Sequence, residues 1–214
     1  MTEKFIVLDT ETTNDIDCPL TYDISFAVID KIGTVYEKHS FVVADVFLDK
    51  ELMASAFFAD KIPMYWEQIK NGDRTLTSFY NIRKCLVDVM IKYNIDTVIA
   101  HNARFDYIST ATTQRYLTKS KYRYFFPYGT KIWDTLKMAR EVFKDDENYC
   151  AFCTENEYIT KNNSVKLTAE ILYRYLTNDI SFIESHTGLE DVLIEKEIFV
   201  HCIQKNPEIN GRLW

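Results

Sequence analysis

Glycine and proline are scarce in this sequence, with 5 glycines and 4 prolines among 214 residues. Disordered regions are usually enriched in such residues, so their scarcity excludes long disordered segments. Long apolar runs are also absent, and none approaches the roughly 18 residues of a membrane-spanning helix. No basic stretch followed by an apolar core marks a signal peptide. We therefore expect a cytoplasmic protein that makes no contact with a membrane.

Positive charge is in short supply as well. The chain has 25 lysines and arginines against 32 aspartates and glutamates, a net charge of −7. This balance excludes a broad basic surface that coats nucleic acid through many phosphate contacts. It does not exclude a nuclease, because bound divalent cations supply positive charge and a site that grips only a strand end needs few phosphate contacts. We expect modest affinity for long polymers, or a partner that delivers the substrate.

The number and spacing of the cysteines do not fit a disulfide framework, since there are five of them, an odd number, at scattered positions. Cys150 and Cys153 form a C-x-x-C pair that could be half of a zinc site, with His201 and Cys202 as its other ligands. No second close cysteine pair supports this interpretation, and residues 147–156 could be helical. We therefore favour ordinary reduced cysteines over structural zinc.

What the chain does contain suits one folded domain. Hydrophobic residues make up 47% of it and aromatic residues 14%, which is enough for a sizeable core. A length of 214 residues fits a single domain. No linker or internal repeat divides the sequence, so we expect residues 1–214 to form one domain.

Hydrophobic periodicity predicts three strands, then helix, strand, helix, strand, and helices to the end. The predicted strands cover residues 4–8, 24–28, 34–43, 96–100 and 132–133. The predicted helices cover residues 48–58, 64–70, 75–93, 102–117, 134–143, 168–176 and 187–205. Residues 145–166 carry no clear pattern. This order predicts an α/β fold with a mixed sheet, in which a three-strand antiparallel meander is followed by parallel strands and helices pack on both faces.

Two acidic residues, Asp9 and Glu11, follow the first apolar run. Strand periodicity places both side chains on one face, roughly 7 Å apart along the backbone. Carboxylates so placed repel each other unless a cation lies between them, and Mg²⁺ and Mn²⁺ prefer such oxygen ligands. A D-x-E pair by itself is more often a solvated strand end, so this one needs support from elsewhere in the chain.

A third carboxylate, Asp106, follows the predicted strand 96–100. If Asn102 caps the next helix, Asp106 ends its first turn at the carboxyl edge of the sheet, where ligand sites tend to lie. Phe105 could stack against a base, although packing inward is the commoner role. His101 suits a hydrogen-bonded residue at a strand end, and we assign it no catalytic role.

The last motif joins His186 and Asp191, which are five residues apart. Inside one helix their side chains would point about 140° apart. Thr187 and Glu190 form a capping-box pattern that starts the helix after His186. His186 then lies in the preceding loop, while Asp191 lies in the first turns of the helix, where the N-terminus favours a carboxylate.

Four carboxylates and a histidine in three motifs suit two-metal phosphodiester hydrolysis. In such sites two divalent ions lie about 3.5–4 Å apart, and they activate a water and stabilise the leaving oxygen. A histidine with an ordinary pKa near 6.5 can take the proton of that water near neutral pH. We predict His186 for this role and two Mg²⁺ or Mn²⁺ ions as the cofactors.

The three motifs resemble those of the DEDDh-type 3′–5′ exonucleases of the ribonuclease H-like superfamily, of the proofreading type. The first motif, D-x-E, matches residues 9–11, the second, an asparagine shortly before Phe-Asp, matches residues 102–106, and the third, H-x-x-x-x-D, matches residues 186–191. The likeness spans roughly residues 4–204. The compact form also resembles exonucleases encoded by bacteriophages.

The resemblance implies a ribonuclease H-like sheet and a role for each motif residue. Four carboxylates would be the metal ligands, with His186 as the general base: Asp9, Glu11, Asp106 and Asp191. Thr10 and Thr12 would lie against the terminal nucleotide, and Phe105 is our third candidate substrate contact. The sequence departs from the family at two positions. Asn14 stands where many relatives have glycine, and Gly188 where many have alanine, and either change could alter loop shape.

The leading prediction is an exonuclease that releases nucleoside 5′-monophosphates from the 3′ end of single-stranded DNA, alone or beside a polymerase or replication partner. An exoribonuclease on short or trimmed RNA is the alternative, and the choice depends on contacts to the 2′-hydroxyl that the sequence does not place. A non-catalytic binding or scaffold module is a distant alternative, because all five motif residues are present. Catalytic zinc is disfavoured because it prefers histidine-rich sites, and the chain has only 4 histidines.

Overall fold

A mixed sheet lies at the centre of the protein. The computed structural model describes residues 2–14, 17–119 and 123–213, which contain six strands in the order β4-β3-β2-β1-β5-β6. The strands are β1 (Lys4–Thr13), β2 (Leu20–Asp30), β3 (Val35–Val43), β4 (Thr75–Thr77), β5 (Thr97–Ala100) and β6 (Lys131–Asp134). β1, β2 and β3 form an antiparallel meander, and β5 and β6 continue it in parallel with β1. The predicted mixed sheet is confirmed.

Helices cover both faces of this sheet, as predicted. They are α1 (Ala44–Phe47), α2 (Lys50–Met53), α3 (Ile62–Asn71), α4 (Phe79–Tyr93), α5 (Arg104–Leu117), α6 (Thr135–Phe143), α7 (Glu147–Glu155), α8 (Ala169–Thr177) and α9 (Gly188–Lys205). A 3-10 turn at Ala59–Lys61 leads into α3. Among the described residues, no helix is long and apolar enough to cross a bilayer.

The alternation of side chains along β1 divides the core into two layers. Ile6 and Leu8 are buried on one face, in the cluster that includes side chains of α3 and α4. Phe5 and Val7 are buried on the other, in the cluster with α6 and α9. Successive strand residues point to opposite faces, so Asp9 and Glu11 continue the α9 face beyond the apolar core.

Two predicted helices are shorter than expected. The helix over 75–93 begins only at Phe79, because Thr75–Thr77 pairs with β3 as the edge strand β4 and Ser78 caps the helix. The helix over 48–58 is reduced to Lys50–Met53. Ser55 donates its hydroxyl to the carbonyl of Leu52 at 2.7 Å, and such side-chain bonds compete with helical ones.

Two predicted caps had opposite outcomes. Asp134 caps α6, since its carboxylate accepts from the amide of Leu136. Asn102 is not the cap of α5, which begins after Ala103. Asn102 instead adopts a left-handed conformation with φ 62° and donates its amide to Asp134 Oδ1 at 2.9 Å. This bond joins the chain that follows β5 to the end of β6.

Residues 145–166, which carry no clear pattern in the sequence, contain α7 and a short turn closed by a β-bridge between Ile159 and Val165. Cys153 is buried on α7, whereas the Cys150 thiol is directed at the carbonyl of Lys144. No cysteine joins a possible metal-binding group among the described residues. Cys153 packs into the core cluster that α7 shares with α6 and α9.

Candidate active site

Three of the four predicted carboxylates converge where β1 meets the start of α9. One oxygen each from Asp9, Glu11 and Asp191 lies within 4.8 Å of the other two. Strand alternation puts Asp9 and Glu11 on the α9 face, and Asp191 is the fourth residue of that helix. Segments about 180 residues apart in sequence thus form a single acidic cluster.

These carboxylates lack the partners that buried charges need. Asp9 Oδ2 and Asp191 Oδ1 are both buried without a hydrogen bond in the described part of the chain. Burial, followed by the neighbouring negative charges, raises the pKa of Asp9 and raises that of Asp191 to about 8 and that of Glu11 to about 9. An uncompensated buried charge costs several kcal/mol, so the cluster fits a divalent cation with oxygen ligands such as Mg²⁺ or Mn²⁺.

The fourth predicted ligand, Asp106, lies beside this cluster rather than in it. It is the third residue of α5 and is buried. Its Oδ1 accepts a hydrogen bond from the Thr10 hydroxyl at 2.8 Å. Burial raises the pKa of Asp106 to about 7, and its charge in turn helps to raise the pKa of Asp9. Asp106 is thus an electrostatic neighbour of Asp9, held by Thr10 from the opposite face of β1.

His186 lies in the loop before α9, in the same pocket as the three clustered carboxylates. The pocket has a volume of about 550 Å³. The imidazole stacks on the ring of Phe58, with centroids 4.7 Å apart, and its Nδ1 lies 3.8 Å from a Glu184 oxygen. Burial, and then the Lys61 cation, lowers the pKa of His186. The ring is therefore neutral near pH 7, the form that accepts a proton.

The backbone of the His186 loop is held by Lys61, the last residue of the 3-10 turn before α3. Lys61 Nζ donates to the carbonyls of Ser185 at 2.5 Å and His186 at 3.3 Å. The hold matters because His186 adopts φ 48°, a left-handed conformation that costs a residue with a Cβ about 1–2 kcal/mol. The contact to Lys61 offsets part of that cost.

The other residues singled out by sequence are placed less simply. The Thr10 hydroxyl faces Asp106 rather than the pocket. Thr12 and Phe105 are half-buried, and Phe105 packs against neither core cluster. Their substrate contacts stay predictions. His101 donates from Nε2 to the carbonyl of Leu167, and its Nδ1 shares a hydrogen bond with the hydroxyl of Thr135, each at 2.9 Å. These bonds agree with a structural role.

The predicted capping box at the start of α9 is wrong. Thr187 makes no side-chain cap, and its hydroxyl instead bonds that of Ser185 at 2.9 Å. The amide of Gly188 donates to Asp23 Oδ2 at 3.2 Å. A carboxylate from β2 therefore satisfies the helix terminus that a local side chain was expected to cap.

Sequence reasoning missed two buried carboxylates at this site. Asp23 accepts hydrogen bonds from Tyr65 and Arg74 as well as from Gly188. Its signal was a lone acid inside the fully buried strand β2. Glu195 lines the pocket with its Oε2 buried and unpaired among the described groups. The signal for Glu195 was its position four residues after Asp191, on the same face of the helix.

No protein-family model and no curated protein sequence matches the chain. Solved structures do match in fold. The nuclease domain of 3′hExo, a DEDDh family member bound to rAMP, is 12% identical with a TM-score of 0.63, over 98% of this chain and 96% of that one. A full-length 3′-exonuclease also gives 12% and 0.63, over 98% of this chain and 85% of that one. E. coli Exonuclease I with a dA16 oligonucleotide gives 14% identity and a TM-score of 0.54, over 96% of this chain and 41% of that one.

Proposed function

We propose that this chain, which has the ribonuclease H-like fold of these 3′-exonucleases, is itself a metal-dependent 3′–5′ exonuclease. One observation carries the proposal. Carboxylate oxygens of Asp9, Glu11 and Asp191 lie within 4.8 Å of one another, and two of the three side chains hold a buried oxygen with no partner in the described structure. Such a cluster, in one pocket with a neutral histidine, suits metal-assisted hydrolysis of a phosphodiester.

The residues divide the work between holding cations and moving a proton. Asp9, Glu11 and Asp191 would hold one divalent ion, and Asp106 would join Asp9 at a second. Bound divalent ions supply Lewis acidity that polarises the phosphate and acidifies a water. His186 accepts the proton of the attacking water. Its Nε2 is the available atom, because Nδ1 is directed toward Glu184.

We propose single-stranded DNA with a free 3′ end as the substrate and nucleoside 5′-monophosphates as the products. The net charge of −7 supports a site that grips a strand end rather than a surface that coats a duplex. Among the proteins of similar fold, E. coli Exonuclease I is seen with a DNA oligonucleotide and 3′hExo with rAMP. RNA is therefore the competing substrate that the experiment must include.

The test is cleavage of matched DNA and RNA oligonucleotides that carry a label at the 5′ end, in the presence of Mg²⁺ or Mn²⁺. We expect a ladder that shortens from the 3′ end, faster on DNA, and no cleavage with a chelator. A faster ladder on RNA would transfer the proposal to RNA. Cleavage of a circular strand, or no cleavage of either polymer, would contradict the exonuclease assignment.

Asp9→Asn should lower the cleavage rate by more than about 100-fold, because the metal interactions it weakens are worth several kcal/mol. The apo variant should unfold at a temperature no lower than the wild type, since one repelling charge is gone. Glu197→Gln, at a partly exposed site on the same helix, is the matched control and should cleave normally. Normal cleavage by Asp9→Asn would remove Asp9 from the site.

A further inference from the structure

Glu195 is a buried acid that the proposed set of four ligands leaves unexplained. Its side chain is only 3% exposed, and its Oε2 has no hydrogen-bond partner in the described chain. No ion pair among the residues that the structure describes includes it. Acids this buried are almost always paired or bound to a cation.

The position of Glu195 points to the same site. It lies one helical turn after Asp191 on α9, so both side chains extend from one face of the helix. Glu195 lines the same pocket as Asp9, Glu11 and Asp191. If position 195 only filled the core, an apolar residue would suit it better. Ile194 and Ile198, on either side of it, are fully or almost fully buried.

Glu195 lies in this pocket but outside the group of three carboxylates. Oxygens of Asp9, Glu11 and Asp191 approach within 4.8 Å of one another, and that group does not include Glu195. Asp9 Oδ2 and Glu195 Oε2 are both buried without a hydrogen-bond partner among the described residues. Glu195 is therefore placed to hold a different ion from the one that the three carboxylates would share.

We propose that Glu195 is a fifth carboxylate ligand of the site and that it helps Asp9 to hold the second divalent cation. The DEDDh resemblance assigns no ligand at this position. The inference rests on the proposed two-metal function.

The test measures metal binding by the whole chain without substrate. Mn²⁺ is titrated into the apo protein. Electron paramagnetic resonance measures the concentration of free Mn²⁺, and calorimetry measures the heat of binding. The wild type should bind two ions. Glu195→Gln keeps the size of the side chain and removes its charge, so it should weaken the second binding step by about 10- to 100-fold. The first step should change little. Glu197→Gln should match the wild type at both steps.

Each outcome decides between separate claims. A wild type that fails to bind two Mn²⁺ ions would refute the two-metal function itself. If the wild type binds two ions and both binding steps are unchanged in Glu195→Gln, only the ligand role of Glu195 is refuted. Glu195 would then be a neutral buried acid, which an amide imitates well. Apo Glu195→Gln should unfold at the wild-type temperature or above. If both Glu195→Gln and Glu195→Met fail to fold, the residue is structural and the ligand role is also overturned.

Discussion

Lys61 is the cation that most affects the histidine of the pocket. It lowers the pKa of His186, after burial, and its ammonium bonds the carbonyls of Ser185 and His186. A base must be unprotonated to accept a proton, so the acidic limb of the activity profile should lie below the ordinary histidine pKa near 6.5.

Replacing this lysine should therefore act through the histidine. Lys61→Met should raise the pKa of His186 and move the acidic limb of the pH–rate profile to higher pH. The measurement is an NMR titration of the imidazole beside the profile of cleavage. Lys84→Met, at an exposed site on α4, should leave both unchanged. An unchanged imidazole pKa in Lys61→Met would show that the cation does not act on the ring.

A buried ion pair between Asp23 and Arg74 lies next to the start of α9. Arg74 Nη1 donates to Asp23 Oδ2 at 2.5 Å, with both side chains almost fully buried. Asp23 Oδ2 also accepts the amide of Gly188, at the start of the helix that carries Asp191. The pair thus links the meander to the carboxylates of the pocket.

Arg74→Met should lower the free energy of unfolding by about 3–5 kcal/mol, because it leaves the Asp23 charge buried without its partner. Urea denaturation measures this loss. Lys131→Met breaks the exposed pair with Asp96 and should cost no more than about 1 kcal/mol. Equal losses in the two variants would mean that burial does not determine the worth of the pair.

At the scale of elements, the start of α9 depends on a glycine. A Cβ on Gly188 would lie 2.8 Å from Ser25 Oγ and 2.9 Å from Asp23 Oδ1. Helix and strand can approach this closely only without a side chain. Glycine at position 188 thus has a structural cause, because Ser25 and Asp23 occupy the space that a methyl group would take.

Gly188→Ala should cost about 1–3 kcal/mol of stability through overpacking and should also lower cleavage by displacing the first turn of α9. Gly129→Ala is the control. It has φ +88° with no atom near its added Cβ, so it should destabilise by about 1–2 kcal/mol without loss of cleavage per folded molecule. Unfolding curves and rates on the labelled DNA separate the two effects. Normal cleavage by Gly188→Ala would show that the helix start tolerates the shift.

At the scale of the whole molecule, we expect the acidic pocket to make stability depend on pH and on a bound cation. The pKa of Asp106 is raised to about 7, that of Asp191 to about 8 and that of Glu11 to about 9. A carboxyl group with a raised pKa in the folded state contributes stability below its unfolded pKa near 4. That contribution is lost progressively as the pH rises toward the folded value. A bound cation should restore it.

We therefore expect Mn²⁺ to raise the melting temperature more at pH 8 than at pH 5. At pH 5 the pocket carboxyls of the apo protein hold protons, with which the metal must compete. Thermal unfolding with and without Mn²⁺ at the two pH values gives the comparison, and Asp9→Asn is the control that should reduce the difference. A larger rise at pH 5 would contradict the arrangement of charges described here.

The sequence by itself determined which local patterns exist. Alternation along β1 placed Asp9 and Glu11 on one face. The five-residue separation of His186 and Asp191 required the helix to begin between them. The long apolar stripe of α4 was also readable. These features depend on neighbours in sequence, and the period of a strand or helix sets them.

Only the tertiary structure decided which side chains meet across the sheet. Asp23 caps a helix that begins 165 residues later in the sequence. Thr75–Thr77 forms β4 because it pairs with the open edge of β3. Glu195 lines the pocket because of the way α9 packs on the sheet. Local signals marked Asp23 and Glu195 but not the groups that they meet, since each contact depends on how distant elements are brought together. Packing of the two core layers on the sheet holds the four site carboxylates and Glu195 at one edge.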